Sequence, residues 1–254
     1  MKRILFPEAD NEYIQQAAAE LTDIEAILET QSLEDAFTKL ASGDVDGIVA
    51  GIDYSSRDVI LAARDKLGLA KPEVKLFTSL FYAELPDGRK YIISDGATCK
   101  HPTLEQMERI IELVHEAAAK LLDEAPRLAM LSFSTFGSGG KDETMDLMRE
   151  AIASTREKHP EILIDGEMQL DAAVNERIGA KKAPDSAVAG KANVLIVPDI
   201  NSGNILYKSL EQFAGAKVAG PILLGFTKPV SDLSRGSTAE DVVLTARCLA
   251  RLID

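Results

Sequence analysis

The segment Asp232-Leu-Ser-Arg-Gly-Ser-Thr-Ala-Glu-Asp241 brings a hydroxyl, a guanidinium and carboxylates into one short stretch of chain. Ser234 and Arg235 precede an amphipathic run from about Ala239 to Leu252, whose periodicity predicts a helix. A serine hydroxyl, an arginine and the free amides at a helix N-terminus can together hold a phosphate or an oxyanion. The residue types therefore favour acyl-phosphate chemistry at this segment.

Two roles are open for Asp241. Thr238-Ala-Glu-Asp241 fits the capping-box pattern, in which the acidic residue stabilises the first turn of a helix. The same pattern occurs at Ser55-Ser-Arg-Asp58 and at Ser32-Leu-Glu-Asp35, so it is common in this chain. A carboxylate at this position could equally take a proton from a substrate. Composition alone favours the cap.

A glycine-rich loop, Ser132-Phe-Ser-Thr-Phe-Gly-Ser-Gly-Gly-Lys141, follows a predicted strand. Its small residues would let the backbone approach a ligand, and its hydroxyls and amides could hold phosphate oxygens. A flexible connection between a strand and a helix is an equally good interpretation. The loop is not a P-loop, because it does not match GxxxxGK[ST].

Two further polar segments also follow predicted strands. Asp165-Gly-Glu-Met-Gln-Leu-Asp171 carries three carboxylates, which indicate either a metal or general-base site or, as the favoured interpretation, acids at the first turn of a helix. Pro198-Asp-Ile-Asn-Ser-Gly-Asn204 leads into a helix whose N-terminus could bind an anion. Asn201 and Ser202 could instead be helix caps.

The composition excludes several classes of function. The formal net charge of -13 opposes binding to nucleic acid or to an anionic membrane, and no local basic cluster compensates for it. We identify no signal peptide and no membrane-spanning run, which predicts a cytoplasmic protein. Cys99, Cys248 and the three histidines lack the spacing of a metal site, so we expect no metal and no disulfide.

Short β-type runs alternate with amphipathic helical stretches through most of the chain, which predicts an α/β fold with mostly parallel sheets. The turn signal Pro86-Asp87-Gly88 interrupts this alternation. It predicts an antiparallel hairpin between Lys75–Leu85 and Lys90–Ser94. We also predict a strand at Ile162–Ile164, a helix after Ser202 and a strand at Pro221–Leu224.

Four blocks in order resemble the phosphate acetyltransferase (phosphotransacetylase) family of phosphate acyltransferases. They are Met130-Leu-Ser-Phe-Ser-Thr135, Asp165-Gly-Glu-Met-Gln-Leu-Asp-Ala-Ala173, the stretch from Val188 to Asn204, and the stretch from Gly220 to Gly236. The resemblance is dense from about Val45 onward. Arg3–Glu8 resembles the opening strand of the family.

The resemblance implies two α/β/α domains with a cleft between them, similar to isocitrate and isopropylmalate dehydrogenases. Domain I would comprise residues 1–73 and 227–254 in a shortened, discontinuous form, and domain II residues 74–226. It also implies a homodimer that transfers an acetyl or short acyl group reversibly between coenzyme A and inorganic phosphate. The partners would be acyl-CoA and phosphate or acyl phosphate, with coenzyme A as a substrate and no permanently bound cofactor.

The resemblance also assigns roles to single residues. Asp241 would take the thiol proton so that the thiolate attacks acyl phosphate directly, Ser234 would stabilise the oxyanion, and Arg235 would hold phosphate. Because an ordinary carboxylate is a weak base for a thiol, Asp241 would need burial or an acidic neighbour such as Glu240. The expected substrate-binding residues are Ser132, Ser134, Thr135, Gly137, Ser138, Asn201, Ser202, Gly203, Asn204 and Lys228.

The chain departs from the family pattern in three places. A segment that carries a basic residue is missing between about Glu29 and Val45, Leu61 stands where an arginine is usual, and Phe136 replaces a lysine or small polar residue. Arg57 or Arg64 could restore the charge. These departures suggest an alternative: a weak or inactive module that binds acyl-CoA or acyl phosphate as a regulatory ligand. A dehydrogenase ranks low, because no GxGxxG follows a strand.

Overall fold

The structure is a computed structural model that describes residues 1–253. Within them the chain forms ten strands and nine α-helices. The strands are β1 (Arg3–Phe6), β2 (Glu25–Leu28), β3 (Gly47–Ala50), β4 (Thr78–Glu84), β5 (Lys90–Ser94), β6 (Leu128–Leu131), β7 (Ile164–Met168), β8 (Val194–Ile196), β9 (Lys217–Leu224) and β10 (Val230–Asp232). The helices are α1 (Glu12–Glu20), α2 (Leu33–Ser42), α3 (Ser56–Leu67), α4 (Leu104–Leu121), α5 (Glu143–Lys158), α6 (Leu170–Val174), α7 (Glu176–Lys182), α8 (Ile200–Ala214) and α9 (Ala239–Leu252).

The chain divides into two compact units. Unit 1 comprises Met1–Tyr82 and the chain from Lys217 onward, and unit 2 comprises Ala83–Ala216. The domain boundaries expected from the sequence, at residues 73/74 and 226/227, stay a prediction and differ from these crossings by nine and ten residues.

Unit 1 is built on a sheet in which the strand order is β2-β1-β3-β10-β9-β4. The pairs β1–β2, β1–β3 and β3–β10 are parallel, and β10–β9 is antiparallel. All four residues of β3 are buried, as expected for a parallel strand that is covered on both faces. Its apolar side chains join those of α2 and α3 in one core that includes Leu5, Phe37 and Ile48.

Unit 2 is built on four strands in the order β5-β8-β6-β7, in which the pairs β5–β8, β8–β6 and β6–β7 are parallel. The residues of β6, β7 and β8 are all buried. Helix α4 presents a long apolar face that includes Met107, Ile111 and Val114, which are buried. The prediction of an α/β fold with mostly parallel sheets is therefore confirmed.

Side-chain caps fix the starts of the helices that follow the site-bearing strands. Ser55 caps α3 by accepting from the amide of Asp58, and Asp199 caps α8 by accepting from the amide of Ser202. Thr238 and Asp241 form a capping box at the start of α9, as the sequence pattern predicted.

Four elements differ from the sequence-based predictions. The strand expected at Ile162–Ile164 is β7, which runs on through the acidic segment to Met168, and α8 begins at Ile200 rather than after Ser202. The strand β9 begins at Lys217 instead of Pro221, and β10 occupies a stretch that carried no strand prediction. A strand is favoured at β7 because Arg149 neutralises the charge of Glu167 there. Within residues 1–253 no helix combines the length and apolar character needed to cross a membrane.

Candidate active site

In unit 1, three strand ends and the loops that follow them carry the polar groups of the candidate site. Strands β1, β3 and β10 are neighbours and run parallel, with Asp232 opposite Ala50 in the register. Their carboxyl ends therefore lie at one edge, where ligands of parallel sheets commonly bind. The loop after β10 holds Ser234 and Arg235, and the loop after β3 leads from Gly51 into α3.

Asp241 lies in the first turn of α9, where its carboxylate is part of the helix cap. Its Oδ2 accepts hydrogen bonds from the amide and the hydroxyl of Thr238, each 2.8 Å long. Glu240, the expected acidic neighbour, instead forms an ion pair with Lys217. Asp241 is half-buried and has no cationic partner among residues 1–253, so its second oxygen is available to a substrate.

Two arginines at this edge have no protein partner within the described chain. Arg235 and Arg57 are both exposed, and neither forms an ion pair or a hydrogen bond there. Arg57 lies in the first turn of α3, which follows β3, the neighbour of β10. Arg64 is different, because it lies in the last turn of α3 and pairs with Asp65 at 3.0 Å. Unit 1 thus offers two unpaired guanidinium groups, on adjacent strand-to-helix connections.

Sequence reasoning missed two buried acids at the same edge. The carboxylate of Glu8 accepts three backbone hydrogen bonds of 2.7–2.8 Å, from Gly51, Asp53 and Tyr54, and so holds the loop after β3. Asp232 is 1 % exposed, and its Oδ1 has no hydrogen-bond partner. The only signal in the sequence was the position of Glu8 shortly after the run Arg3–Phe6, because no strand was predicted before Asp232.

Burial raises the pKa of Asp232 to about 6, against a hydrogen bond from Ser56 that lowers it, and the charge of Glu8 raises it further. A Cβ atom added to Gly51 would lie 2.4 Å from Oδ1 of Asp232, which shows how closely the backbone packs against this carboxyl group. Gly51 also has a φ of +107°, a conformation that favours glycine.

In unit 2, the glycine-rich loop after β6 is anchored by Glu167, a fully buried residue of β7. Its carboxylate accepts hydrogen bonds of 2.8 Å from the hydroxyl of Ser134 and from the amide of Gly137. Arg149 of α5 donates to both oxygens of Glu167, at 2.7 and 3.2 Å. Burial alone would raise the pKa of Glu167, but these hydrogen bonds outweigh it and lower the pKa to about 2.

The three acids of the acidic segment have different roles. Glu167 stabilises the preceding loop, Asp165 pairs with Arg156, and Asp171 pairs with Lys182. Helix α6 begins at Leu170, and its N-cap residue, Gln169, makes no side-chain cap hydrogen bond. The favoured interpretation, acids at a helix N-terminus, is correct only for Asp171.

The expected ligand residues of the glycine-rich loop differ in exposure. Ser134 is fully buried, and its hydroxyl donates to Glu167 and accepts from the amide of Gly139. Thr135 is also buried, and its hydroxyl accepts from the amide of Gln169. Ser132 is half-buried, whereas Gly137 and Ser138 are exposed, so these three can meet a ligand without rearrangement.

The expected ligand residues after β8 lie in the first turn and a half of α8. Asn201 is exposed, Ser202 is half-buried, and the side-chain amide of Asn204 donates to the carbonyl of Gly96 at 3.4 Å. Gly203 is buried, and a Cβ atom there would lie 2.3 Å from the carbonyl oxygen of Asp95. Gly203 therefore permits close packing of the helix and leaves ligand contact to its neighbours.

A cavity of about 470 Å³ opens between the carboxyl ends of β6 and β8 in unit 2. Apolar side chains form much of its wall, and Ser132 and Ser202 are among its polar lining residues. Its lining residues are Leu131, Ser132, Phe133, Asp142, Thr144, Leu170, Val197, Pro198, Asp199, Ser202 and Leu206.

Lys228 and Ser234 lie at opposite ends of β10. Lys228 precedes β10, whereas Ser234 follows that strand, and β10 runs parallel to β3. Lys228 thus lies on the side of unit 1 where β1 and β3 begin. Because a strand separates the two residues, we leave Lys228 out of the proposed site.

Neither cysteine has the environment of a reactive nucleophile. Cys248 is buried, and burial together with the charge of Asp95 raises the pKa of half-buried Cys99 to about 11. Among residues 1–253, no group of three or more His, Cys, Asp or Glu side chains has an arrangement that could hold a metal ion.

The fold and these loops define an α/β protein with hydroxyl and guanidinium groups at the carboxyl ends of parallel strands. Residues 21–250 match the family model described as "Phosphate acetyl/butaryl transferase". The chain belongs to this family, which confirms the resemblance drawn from the four sequence blocks.

Named relatives agree with this assignment. The chain is 42 % identical over 209 residues to a phosphate acetyltransferase of Clostridium acetobutylicum, which covers 80 % of this chain and 62 % of that one. It is also 42 % identical over 206 residues to one of Nitrosomonas europaea, covering 81 % of this chain and 29 % of the relative. The chain thus spans less than two thirds of the length of these curated relatives.

A phosphotransacetylase from Streptococcus pyogenes has a similar solved structure. It superimposes with a TM-score of 0.84 at 32 % identity, covering 98 % of this chain and 93 % of that chain. The similarity therefore extends through both units of the structure.

Proposed function

We propose that the chain is a phosphate acyltransferase that moves an acetyl or short acyl group reversibly between coenzyme A and inorganic phosphate. The observation that carries the proposal is the arrangement in unit 1 of Ser234, unpaired Arg235 and Asp241 on one turn and the helix that follows it. A hydroxyl, a cation and a carboxylate without a cationic partner are the groups that this reaction requires.

The chemical step begins with coenzyme A as a thiol. Its pKa near 8.5 leaves only a few per cent as thiolate at neutral pH, so a nearby base accelerates attack. Asp241 takes the thiol proton as the sulfur forms a bond to the acyl carbonyl carbon of acyl phosphate. Ser234 donates to the developing oxyanion. The bond between the acyl carbon and the phosphate oxygen then breaks, and phosphate leaves with that electron pair.

Arg235 and Arg57 supply the positive charge for the phosphate group. Leu61 stands where the family usually has an arginine, so a second cation must come from elsewhere. Arg57 is unpaired and lies on the connection beside that of Arg235, whereas Arg64 is already paired with Asp65. Arg57 is therefore the better of the two replacements considered from the sequence.

The apolar part of a substrate fits the cavity of unit 2. A wall of leucine, valine and phenylalanine with two serine hydroxyls suits a long, partly polar chain such as the pantetheine arm of coenzyme A. The hydroxyl of exposed Ser138 is available for phosphate oxygens, whereas the amides of Gly137 and Ser202 already bond to Glu167 and Asp199.

We propose a homodimer as the working assembly. Helix α8 exposes 67 % of Ile205 and 89 % of Phe213, which are large apolar side chains that a second copy would cover. Light scattering of Ile205→Asp/Phe213→Asp should show a smaller mass than that of the parent chain. Tyr13→Asp, a change at an exposed aromatic residue of unit 1, serves as the control and should leave the mass unchanged.

We place the reaction in the cytoplasm. Within residues 1–253 neither Cys99 nor Cys248 forms a disulfide, as is usual in a reducing compartment. Fractionation of the producing cells, followed by immunoblotting, tests this location.

The decisive assay measures coenzyme A release from acetyl-CoA, propionyl-CoA and butyryl-CoA in phosphate buffer. The parent chain should turn over at least one of them in proportion to phosphate, and Asp241→Ala should lose that turnover. Calorimetry could instead show tight binding of acyl-CoA while none of the three substrates releases coenzyme A in a phosphate-dependent way. That result would show that the chain is a regulatory ligand-binding module and not an enzyme.

A further inference from the structure

Asp232 is the buried acid that the proposed mechanism leaves without a role. It is the last residue of β10 and lies two positions before Ser234 and three before Arg235. Two residues of extended chain span only about 7 Å between α-carbons, so any charge on Asp232 acts on the anion-binding turn. Its Oδ1 has no hydrogen-bond partner, although its side chain is almost completely buried.

The surroundings of Asp232 disfavour its charged form. Glu8 is the charged group that acts on it, and it adds a second negative charge at the same sheet edge. Helix α3 contributes the hydroxyl of Ser56, whose influence lowers the pKa of the carboxyl group, while its Asp58 bonds to Ser55. The Gly51 side offers backbone atoms only.

Helix α9, which also packs against β10, contributes no positive charge to this carboxyl group. Its Glu240 pairs with Lys217, and its Asp241 bonds to Thr238. The facing residues of β9, Ile222 and Leu223, are apolar. An unpaired buried carboxylate is costly, and protonation relieves that cost.

We propose that Asp232 is a positioning residue for the Ser234–Arg235 turn, and that it takes up a proton when this turn binds an anion. An anion at Ser234 and Arg235 brings a further negative charge to the turn that begins two residues after Asp232, whose Oδ1 has no hydrogen-bond partner. Binding therefore favours the neutral acid. By linkage, the neutral acid favours binding, because the two effects share one coupling free energy.

This inference rests on the proposed function, because it needs an anion site at the Ser234–Arg235 turn. It adds a pH dependence to that site. Without an anion, burial and Glu8 raise the pKa of Asp232 to about 6. A bound anion raises it further, so anion affinity should increase as the pH falls from 8 towards 5.5.

Calorimetry with sulfate tests the inference on the intact protein. Sulfate is the probe because it stays doubly charged over this pH range, whereas phosphate itself titrates. Titrations at pH 6.5 in two buffers that differ in ionisation enthalpy give the number of protons taken up per anion bound. If the pKa of Asp232 moves by one unit, we expect about half a proton and an affinity that weakens about tenfold from pH 5.5 to pH 8.

Three variants test whether Asp232 is the group that takes up the proton. Asp232→Asn should abolish the uptake and flatten the pH dependence. Asp53→Asn removes an exposed acid of the neighbouring loop, and this control should keep both effects. Ser56→Ala removes the hydrogen bond that favours the charged form, so it should move the midpoint of the pH dependence upward. Because Ser56 is exposed, this variant decides the question even if Asp232→Asn does not fold.

Sulfate binding without proton uptake, uptake that persists in Asp232→Asn, or an unchanged midpoint in Ser56→Ala would each overturn the inference. Absence of sulfate binding would overturn it as well. None of these measurements involves turnover. The proposed function is tested separately, by phosphate-dependent release of coenzyme A, so the two proposals can fail independently.

Discussion

The carboxylate of Asp241 accepts two hydrogen bonds from Thr238, one from its amide and one from its hydroxyl, and both are 2.8 Å long. The residue proposed as the base is therefore also the N-terminal cap of α9. The two roles do not exclude each other, because both bonds go to Oδ2 and leave Oδ1 for a substrate. They do mean that a loss of activity in an Asp241 variant needs a stability control.

Asp241→Ala should lower kcat/KM about 100-fold or more, because a positioned general base contributes at least that factor. Its free energy of unfolding should fall by only about 1 kcal/mol, the usual value of a helix cap. Steady-state kinetics and urea denaturation measure the two effects. Thr238→Ala is the matched control, since it loses the same cap and keeps the carboxylate. Equal losses of turnover in the two variants would make Asp241 a cap alone.

Arg57→Ala should raise the KM for phosphate about tenfold with a smaller change in kcat. The reason is that a charge-assisted hydrogen bond to phosphate contributes roughly 1.5 to 3 kcal/mol. Arg64→Ala, which removes a paired arginine of the same helix, should leave the KM unchanged. A larger effect at Arg64 than at Arg57 would contradict the proposed phosphate site.

Glu167→Gln should destabilise unit 2 at neutral pH but not in acid. The pKa of Glu167 is lowered in the folded chain, to about 2 from an ordinary value of 4.5. Its stabilising effect is therefore present above pH 4.5 and is lost as the pH falls towards 2. The difference of two to three pKa units corresponds to at most about 3 kcal/mol.

Urea denaturation of the parent chain and of Glu167→Gln between pH 3 and pH 7 measures this difference. The difference in the free energy of unfolding between the parent chain and Glu167→Gln, here called the gap, should narrow as the solution becomes more acidic. Asp171→Asn, at a half-exposed carboxylate that pairs with Lys182, should show a much smaller gap throughout. A gap for Glu167→Gln that is independent of pH would show that packing, and not charge, accounts for the loss.

Asp232→Asn should have the opposite pH dependence. The pKa of Asp232 is raised in the folded chain, to about 6 from 3.8. The native state therefore loses stability as the pH rises from about 4 through 6, where the buried carboxyl group ionises. The variant cannot ionise, so its stability relative to the parent should improve by about 2 kcal/mol or more between pH 4 and pH 7. Thermal unfolding followed across that range would show no such improvement if Asp232 were solvated.

Cys99 should react slowly with thiol reagents at pH 7.5 in the folded protein, because its pKa is raised to about 11. Cys99→Ala should retain acyl transfer. Rates of reaction with a disulfide reagent, before and after unfolding in urea, test the first statement. Rapid modification of the folded chain together with an inactive Cys99→Ala variant would point to an enzyme thiol in the reaction.

Local sequence signals predicted several elements at or near their true limits. The helix predicted from about Ala239 to Leu252 is α9, and the strand predicted at Lys90–Ser94 is β5, each with those limits. The capping box at the start of α9 is visible in the sequence without tertiary contacts. The turn at Asp87-Gly88 was found for the same reason. The amide of Gly88 bonds to the carbonyl of Leu85, three residues away.

Elements that depend on distant partners were not predictable in this way. The acidic stretch of β7 has the composition of a loop, and it is a buried strand because Arg149, eighteen residues earlier in the chain, neutralises Glu167. Similarly, β10 is only three residues long, and its pairing with β3 and β9 defines it. Short strands contain too few residues for a periodic pattern to stand out.

The sequence by itself determined the α/β class, the family, and the segment that carries Ser234, Arg235 and Asp241, because those depend on residue order along the chain. Only the tertiary structure decided which side chains remain available. In the structure the hydroxyl of buried Ser134 donates to Glu167, and Lys228 lies before β10. The tertiary structure also left Asp232 without a partner beside the anion-binding turn. Burial and hydrogen-bond partnership arise between segments far apart in sequence, and no local pattern records them.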